Sequence, residues 1–554
     1  MTGLAARRVA EASTTYDETR ITPQGVFWLE GRPSGQNAIV CWTREHGLRD
    51  ITPDGFSVGS LVHEYGGGAW TVHDGTLWFC DSGGELLSKT GRTGAVLVVP
   101  AAGVPGSHRY ADLCVDRDGR HLWAVRERHE HEDVINELVR IAADGKTAPS
   151  VVASGWEFYA FPRLSPDGCQ LAWTCWNAPL MPWDGTYLHV ADIAADGTLG
   201  EPVLVAGGPE ESVFQPQWSP SGVLHFVSDR SGWWNLYARE PYGDAVVADC
   251  EAELGVAQWE FGYSTYAFLG GDRIAVLAQR GGSQTVEVVG SGSRRSLDLP
   301  CTSIKPYLSA RGSTIALIGA SPVATPSVVV ADVDTGAVTS IAGEEPLARS
   351  GTLSAPEPFV FTARDGLRVH GLYYQPWRAS PGPPPLVVKA HPGPTANFPM
   401  RLDWHSQYLC SHGFAVAEID YRGSTGYGRA YRNALRGQWG EGDALDCADA
   451  AGHLGRQGLG DPQRTAIWGA SAGAYTALRA VILTDVFAAC IARSPVIDPG
   501  TWSLAAPKFQ AHQAQLLVGG QTGAPLDYRT RSVLVDAHAI SCPVLLIHGG
   551  NDQI

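Results

Sequence analysis

Six glycines in the first 345 residues recur at a nearly constant interval. They are Gly75 (HDG), Gly119 (RDG), Gly168 (SPDG), Gly222 (SPSG), Gly271 (GGD) and Gly312 (ARG), spaced 44, 49, 54, 49 and 41 residues apart. Most precede a short β-rich run such as TLWFC, HLWAV, QLAWT or RIAVL, and a glycine turn ahead of such a run is a hairpin signal. A repeat of this length, holding about four short strands, is the period of a β-propeller blade. The run at residues 26–43 supplies a seventh blade, so the expectation is a β-propeller of seven blades. A large irregular β-sandwich is the alternative, but it has no reason to repeat at blade length.

The pattern changes after residue 345. Ser354 to Pro358 reads as a boundary, which predicts an N-terminal propeller domain over 1–350 and a second domain over 351–554. The second opens on a hairpin at 358–376. Apolar strands LVVKA, FAVAEID, RTAIWGA, FAACIA and PVLLIHG then alternate with helices expected near 443–454 and 472–483. Short apolar strands alternating with helices build a parallel sheet covered on both faces.

Within this α/β domain, Gly469-Ala470-Ser471-Ala472-Gly473 lies between a buried strand and an apolar helix. That is the context of a nucleophile elbow, the strand-to-helix turn of an α/β-hydrolase that exposes a serine at a helix N-terminus. The alternative is that Ser471 merely caps the helix. The triad order of the fold is serine, carboxylate, histidine. Asp552, 81 residues after Ser471 in the HGGND turn, is the expected carboxylate, with Asp498 as the other candidate. His538 and His548 both precede Asp552, so the expected catalytic histidine lies beyond residue 554 and the domain is read as C-terminally incomplete. On that reading residues 1–554 alone are inactive. The loop His391-Pro392-Gly393-Pro394 follows the first α/β strand, where an oxyanion donor belongs. The expected donors are the Gly393 and Ala472 N–H groups, since Pro392 has none.

Longer motifs point to a family. DYRGSTGYGRAYR (420–432), GQWGEGDALDC (437–447), GASAGAY (469–475) and HGGND (548–552) stand in the second half, with SPDG (165–168), MPWDGT (181–186) and FVSDRSGWWNLY (226–237) in the first. The chain resembles the prolyl oligopeptidase family of serine peptidases, in its acylaminoacyl-peptidase and dipeptidyl-aminopeptidase-like branch. The resemblance implies a seven-bladed propeller capping an α/β-hydrolase domain, with short peptides or acyl-amino acids hydrolysed in the cavity between them. It implies Ser471 as nucleophile, Asp552 as triad acid, and Gly393 and Ala472 as oxyanion donors. Two departures stand out: the usual HGGP is HPGP here, and the family's C-terminal Gly-His-Gly loop does not occur. Aminodipeptidase relatives grip a substrate amine with a glutamate pair on the propeller, which makes Glu210 and Glu211 candidates for substrate binding. A solvated loop is the plainer reading of that pair.

The remaining signals are mostly exclusions. With 41 basic against 57 acidic residues the net charge is −16, which disfavours nucleic acid as a partner. There is no secretory signal, no run long enough to span a membrane, and no Cys-x-x-Cys among 11 cysteines, so a cytoplasmic protein with reduced thiols is expected. His129-Glu130-His131-Glu132 lacks the spacing of a metal site and reads as an exposed loop, so no metal is expected. No phosphate-binding glycine loop supports a nucleotide cofactor. The resemblance allows a homo-oligomer. Trp233, Trp234 and Tyr237 read as blade core, while Arg422 and Tyr427 fit either the cavity or a structural pairing. The competing functions are a serine exopeptidase, a small-molecule amide or ester hydrolase using the same site, and an inactive propeller scaffold.

Overall fold

The computed structural model describes residues 3–11, 13–90, 94–99, 107–131, 133–290, 292–344, 353–378, 381–519 and 526–552. Seven antiparallel sheets follow one another along the chain, at 15–50, 70–99, 108–153, 158–208, 213–248, 266–296 and 303–342. Six have four strands in sequential order and the last carries a fifth short one. They form a seven-bladed propeller. The six recurring glycines occupy the same place in blades two to seven, the turn between the first two long strands. Their φ values fall between 63° and 86°, a region costly for any residue with a Cβ. The turn, repeated, set the spacing seen in the sequence.

The ring closes without a shared strand. The first blade meets the last through side chains: Ile21 N–H donates to Ser309 Oγ at 2.9 Å, Thr19 Oγ1 to the Ala316 carbonyl at 3.2 Å, and Lys305 Nζ to Asp17 at 2.6 Å. Around the central channel, Glu18, Asp112 and Gln215 hold positive φ on their innermost strands. Each accepts a backbone N–H of the next blade, from Gly68 at 2.8 Å, Phe161 at 2.6 Å and Thr265 at 2.6 Å. Buried polar groups must find partners, and here those partners stitch blade to blade.

The second domain is a seven-stranded sheet in the order Glu357–Thr362, Arg368–Tyr374, Ala415–Asp420, Leu386–Ala390, Thr465–Ala470, Ala489–Arg493, Val544–Ile547. Its first two pairings are antiparallel and the other four parallel. Helices Gly442–Arg456 and Ala472–Leu483 cover it, and both arise where alanines and leucines repeat at helical spacing. This is the expected α/β-hydrolase sheet. The expected boundary near 350 falls on residues 345–352, outside the described residues. One element departs from the expected 1–350 unit. Helix Ala6–Ala10 lies against the hydrolase helix Trp404–Ser411, and Leu4 N–H donates to Ser411 Oγ at 2.8 Å. All eleven cysteines are free of disulfides. No helix among the described residues is long and apolar enough to cross a membrane.

Among the contacts that join the domains, two are dissimilar in kind. On one side, the motif DYRGSTGYGRAYR meets MPWDGT and FVSDRSGWWNLY. Arg429 pairs with Asp229 at 2.5 Å, Arg432 bonds the same carboxylate, and Arg436 pairs with Asp184 at 3.1 Å. Arg432 is 4.0 Å above the Trp234 ring, and Gly428 N–H donates to Glu253 at 3.1 Å. On the other side, Phe509 of the hydrolase domain is buried in the propeller's aromatic cluster. It stacks on His63 at 4.9 Å and meets Phe158 edge-on at 5.9 Å. Beside it, Lys508 Nζ donates to the Glu157 carbonyl at 2.8 Å. Between these contacts lies a cavity.

Candidate active site

Ser471 ends the Thr465–Ala470 strand and starts the Ala472–Leu483 helix with φ 52° and ψ −123°. A non-glycine residue rarely adopts this conformation, and such strain collects where function needs it. Neighbouring backbone enforces it. A Cβ on Gly469 would lie 2.0 Å from the Gly473 carbonyl oxygen, and one on Gly473 would lie 2.4 Å from that of Ala390. Both glycines are therefore obligatory. Ser471 N–H donates to the Arg493 carbonyl at 2.9 Å, which ties the elbow to the next strand, and the side chain is exposed.

The loop His391–Pro394 is held from below. His391 is buried, with Nδ1 donating to the Gly393 carbonyl at 2.5 Å and Nε2 lying 2.7 Å from Ser424 Oγ. Burial pushes its pKa down to about 3, so the ring is neutral. The Tyr421 hydroxyl also reaches the His391 and Gly393 carbonyls, at 3.1 and 3.2 Å. These bonds fix the carbonyl of Gly393. The N–H of Ala472, expected as an oxyanion donor, donates to the Pro392 carbonyl at 3.1 Å.

Ser471, Ala472 and Gly393 line one cavity of about 400 Å³, together with Pro392, Pro394, Trp439, Val496, Trp502, Gln510 and Gln513. Its far wall is propeller: Tyr65, Trp259, Glu260 and Tyr263. Trp259 Nε1–H donates to the Thr395 carbonyl at 2.9 Å, clamping the loop after His391 from across the interface. Among the described residues, that lining contains no histidine.

The other expected residues are placed as follows. Asp552 is in the turn after Val544–Ile547, its N–H donating to the Gly549 carbonyl at 3.2 Å and its carboxylate 3.9 Å from His548 Nδ1. Asp498 caps the helix Pro499–Ala505 by accepting the Thr501 N–H at 2.8 Å, a structural task. Glu210 and Glu211 are not among the cavity's lining residues. Glu211 accepts from Ser228 at 2.6 Å and pairs with Arg230 at 2.7 Å. Glu210 is exposed, 3.6 Å from Arg429 and 3.7 Å from Arg436. Arg422 and Tyr427 take the structural option. Arg422 grips Asp446 with two bonds at 2.7 and 2.9 Å, and the Tyr427 hydroxyl donates to Asp420 at 2.6 Å. Trp234 and Tyr237 are buried blade core, whereas Trp233 is half-buried.

His129 and Glu130 end a blade strand rather than lying in a loop, and Glu132 is outside the described residues. Glu64, Glu127 and His129 come within 4.8 Å of one another. Arg109 already bridges the two carboxylates, at 2.5 and 3.3 Å. The guanidinium supplies the positive charge there. The residues sequence reasoning missed are Glu260 and its aromatic neighbours. Their only signal is the aromatic density of QWEFGYSTYAF (258–268).

Comparison with known proteins gives a consistent picture. A puromycin-hydrolyzing peptidase from Mycobacterium tuberculosis superposes with a TM-score of 0.94 at 32% identity, over 100% of this chain and 88% of that one. The chain belongs to the prolyl oligopeptidase family. The family model of that description matches residues 400–554. A dipeptidyl aminopeptidase BIII from Pseudoxanthomonas mexicana is 32% identical over 31% of this chain, and an acylamino-acid-releasing enzyme from Arabidopsis thaliana is 35% identical over 21%. The matched segments span only 26% and 15% of those curated relatives' lengths. Within the family fold, DYRGSTGYGRAYR of the second half and MPWDGT and FVSDRSGWWNLY of the first are two sides of one interdomain contact.

Proposed function

We propose that the chain is a serine hydrolase of short peptides and peptide-like amides, with Ser471 as nucleophile. The observation that carries this is Ser471 itself: strained, exposed, at a helix N-terminus, and opening into a cavity that the propeller walls off. A volume of about 400 Å³ suits a small ligand and bars a folded protein. In this reading Ser471 Oγ attacks the scissile carbonyl, and the Gly393 and Ala472 N–H groups receive the oxyanion. Asp552 is the proposed triad carboxylate, whose part in such a mechanism is to orient the histidine that carries the serine proton to the leaving amine. His391 is not the base, because its ring is buried beneath the oxyanion loop. The names of the relatives, a dipeptidyl aminopeptidase, an acylamino-acid-releasing enzyme and a puromycin-hydrolyzing peptidase, are consistent with N-terminal residues released from small amides.

The test is a panel of chromogenic aminoacyl, acyl-aminoacyl and ester substrates given to the full-length protein and its S471A variant. Amide turnover that vanishes in S471A is expected. Ester turnover without amide turnover would favour the small-molecule esterase reading. No turnover of any member would support the scaffold.

A further inference from the structure

The central channel of the propeller holds a second cavity, apart from the one at Ser471. It measures about 550 Å³, every residue that lines it belongs to the propeller, and Tyr263 alone also lines the Ser471 cavity. Two guanidinium groups line it, those of Arg20 and Arg163, on the innermost strands of the first and fourth blades. Among the described residues the lining has a single carboxyl group, Glu18, in a chain whose net charge is −16.

The two arginines differ in how they are satisfied. Arg163 pairs with Asp112 at 2.8 Å and donates to the Pro162 carbonyl at 2.9 Å. Arg20 lies 4.9 Å above the Trp70 ring and makes one long bond, to Thr71 Oγ1 at 3.4 Å. Among the described residues, no carboxylate oxygen lies within 4.0 Å of it. Glu18 does not fill that gap: one oxygen accepts the Gly68 N–H at 2.8 Å, and the other is buried without a partner. Burial raises the Glu18 pKa to about 8, so the group is largely neutral at pH 7. His73, the other basic residue of the lining, bonds the Arg117 carbonyl at 3.1 Å and lies 3.5 Å from Asp74.

Further donors line the same space. Gln217 Oε1 accepts from Gln215 Nε2 at 3.1 Å, so its own amide nitrogen remains to donate. Ser309 Oγ accepts the Ile21 N–H at 2.9 Å and keeps its proton to give. A guanidinium drawn from water with most of its five donors unused is costly. Burial lowers the Arg20 pKa and the charge of Arg163 adds to that, while Glu18 and Asp112 oppose it. An oxyanion would relieve both burdens, since its oxygens match the planar fork of an arginine. We propose that this cavity binds a small molecule carrying a phosphate or carboxylate group, received by Arg20 with Arg163, Gln217 and Ser309 beside it. The volume exceeds that of a bare ion and leaves room for the rest of such a molecule. The site is independent of the reaction at Ser471 and stands whether or not that serine is the nucleophile.

The experiment is calorimetric titration of the full-length protein, R20Q and R20K with inorganic phosphate, glycerol 3-phosphate and acetate. Saturable binding to the wild type is expected, and whichever of the two groups binds, phosphate or carboxylate, is the one the site receives. Loss of a charged hydrogen-bonding partner weakens binding about 10- to 100-fold, which is the effect expected in R20Q. R20K keeps the charge but loses the fork, so its affinity should fall between the two. No saturable binding of any of the three, or binding that R20Q leaves unchanged, overturns the proposal. Melting temperatures check the fold. Without an anion R20Q should melt no lower than the wild type, because it deletes an unpaired cation, and only the wild type should gain on adding the bound anion. An R20Q protein that melts well below the wild type in anion-free buffer would make Arg20 a structural residue and overturn the proposal as well.

Discussion

The two walls of the Ser471 cavity are built on different principles. Around Ser471 the hydrolase wall is set by backbone: two obligatory glycines, a serine with φ 52°, and loop carbonyls fixed by His391 and Tyr421. The propeller wall is side chains, Tyr65, Trp259, Glu260 and Tyr263, delivered by segments between blades. Chemistry at a carbonyl needs donors at fixed positions, which backbone supplies and substitution cannot easily change. Selection among substrates needs interchangeable groups, which loops on a rigid ring supply. The join between the walls repeats the contrast. One side is a buried charge cluster, and the other is a single aromatic plug.

The largest effect should come from the backbone wall. Gly473→Ala would set a Cβ 2.4 Å from the Ala390 carbonyl and 2.5 Å from that of His391, displacing elbow and oxyanion loop together. A fall in kcat of about 10³-fold is expected from misplaced oxyanion donors, with far-UV circular dichroism unchanged. Next is the charged side of the join. Asp229→Ala leaves Arg429 and Arg432 without their carboxylate, and breaking such a buried pair costs about 3–5 kcal/mol, read as a lower midpoint of urea unfolding. Phe509→Ala empties the aromatic socket at about 3 kcal/mol, the low end for a buried ring. Its signature is local: faster hydrogen exchange in residues 507–519, with the Arg429 side still protected.

A pH effect separates the two sides further. Asp420, at the root of the charged side, is buried against Phe398 N–H and the Tyr427 hydroxyl, with Glu418 nearby. Burial raises its pKa to about 7, against about 3.9 in an unfolded chain. A raised folded pKa means stability present in full below pH 4 and lost as pH rises through 7. In Asp420→Asn the melting temperature should therefore fall less between pH 5 and pH 8 than in the wild type. The smallest effect is expected at Glu210→Gln. An exposed ion pair contributes less than about 1 kcal/mol, and the ratio of aminoacyl to acyl-aminoacyl turnover should not move.

The same contrast decides what could be read from the sequence. The elbow was legible because Gly469, Ser471 and Gly473 satisfy a local constraint, and local constraints leave local patterns. The blades were legible because one turn is repeated six times with the same φ. The helix Ala472–Leu483 was legible to the residue from its apolar face. Glu260 was not, since its place on the wall of the Ser471 cavity exists only after two domains fold and dock. Glu210 and Glu211 show the converse: a conspicuous pair in sequence whose partners, Arg230, Arg429 and Arg436, are distant along the chain. Phe509 and the N-terminal helix likewise carry no periodic signal, because each packs against the other domain's surface rather than its own.

The central claim is that Ser471 is the nucleophile. Treating the full-length protein with a fluorophosphonate and mapping the adduct by peptide mass spectrometry tests it directly. One adduct is expected, on the peptide containing Gly469–Gly473, absent from S471A. An adduct on another residue, or amide hydrolysis that persists in S471A, would contradict it.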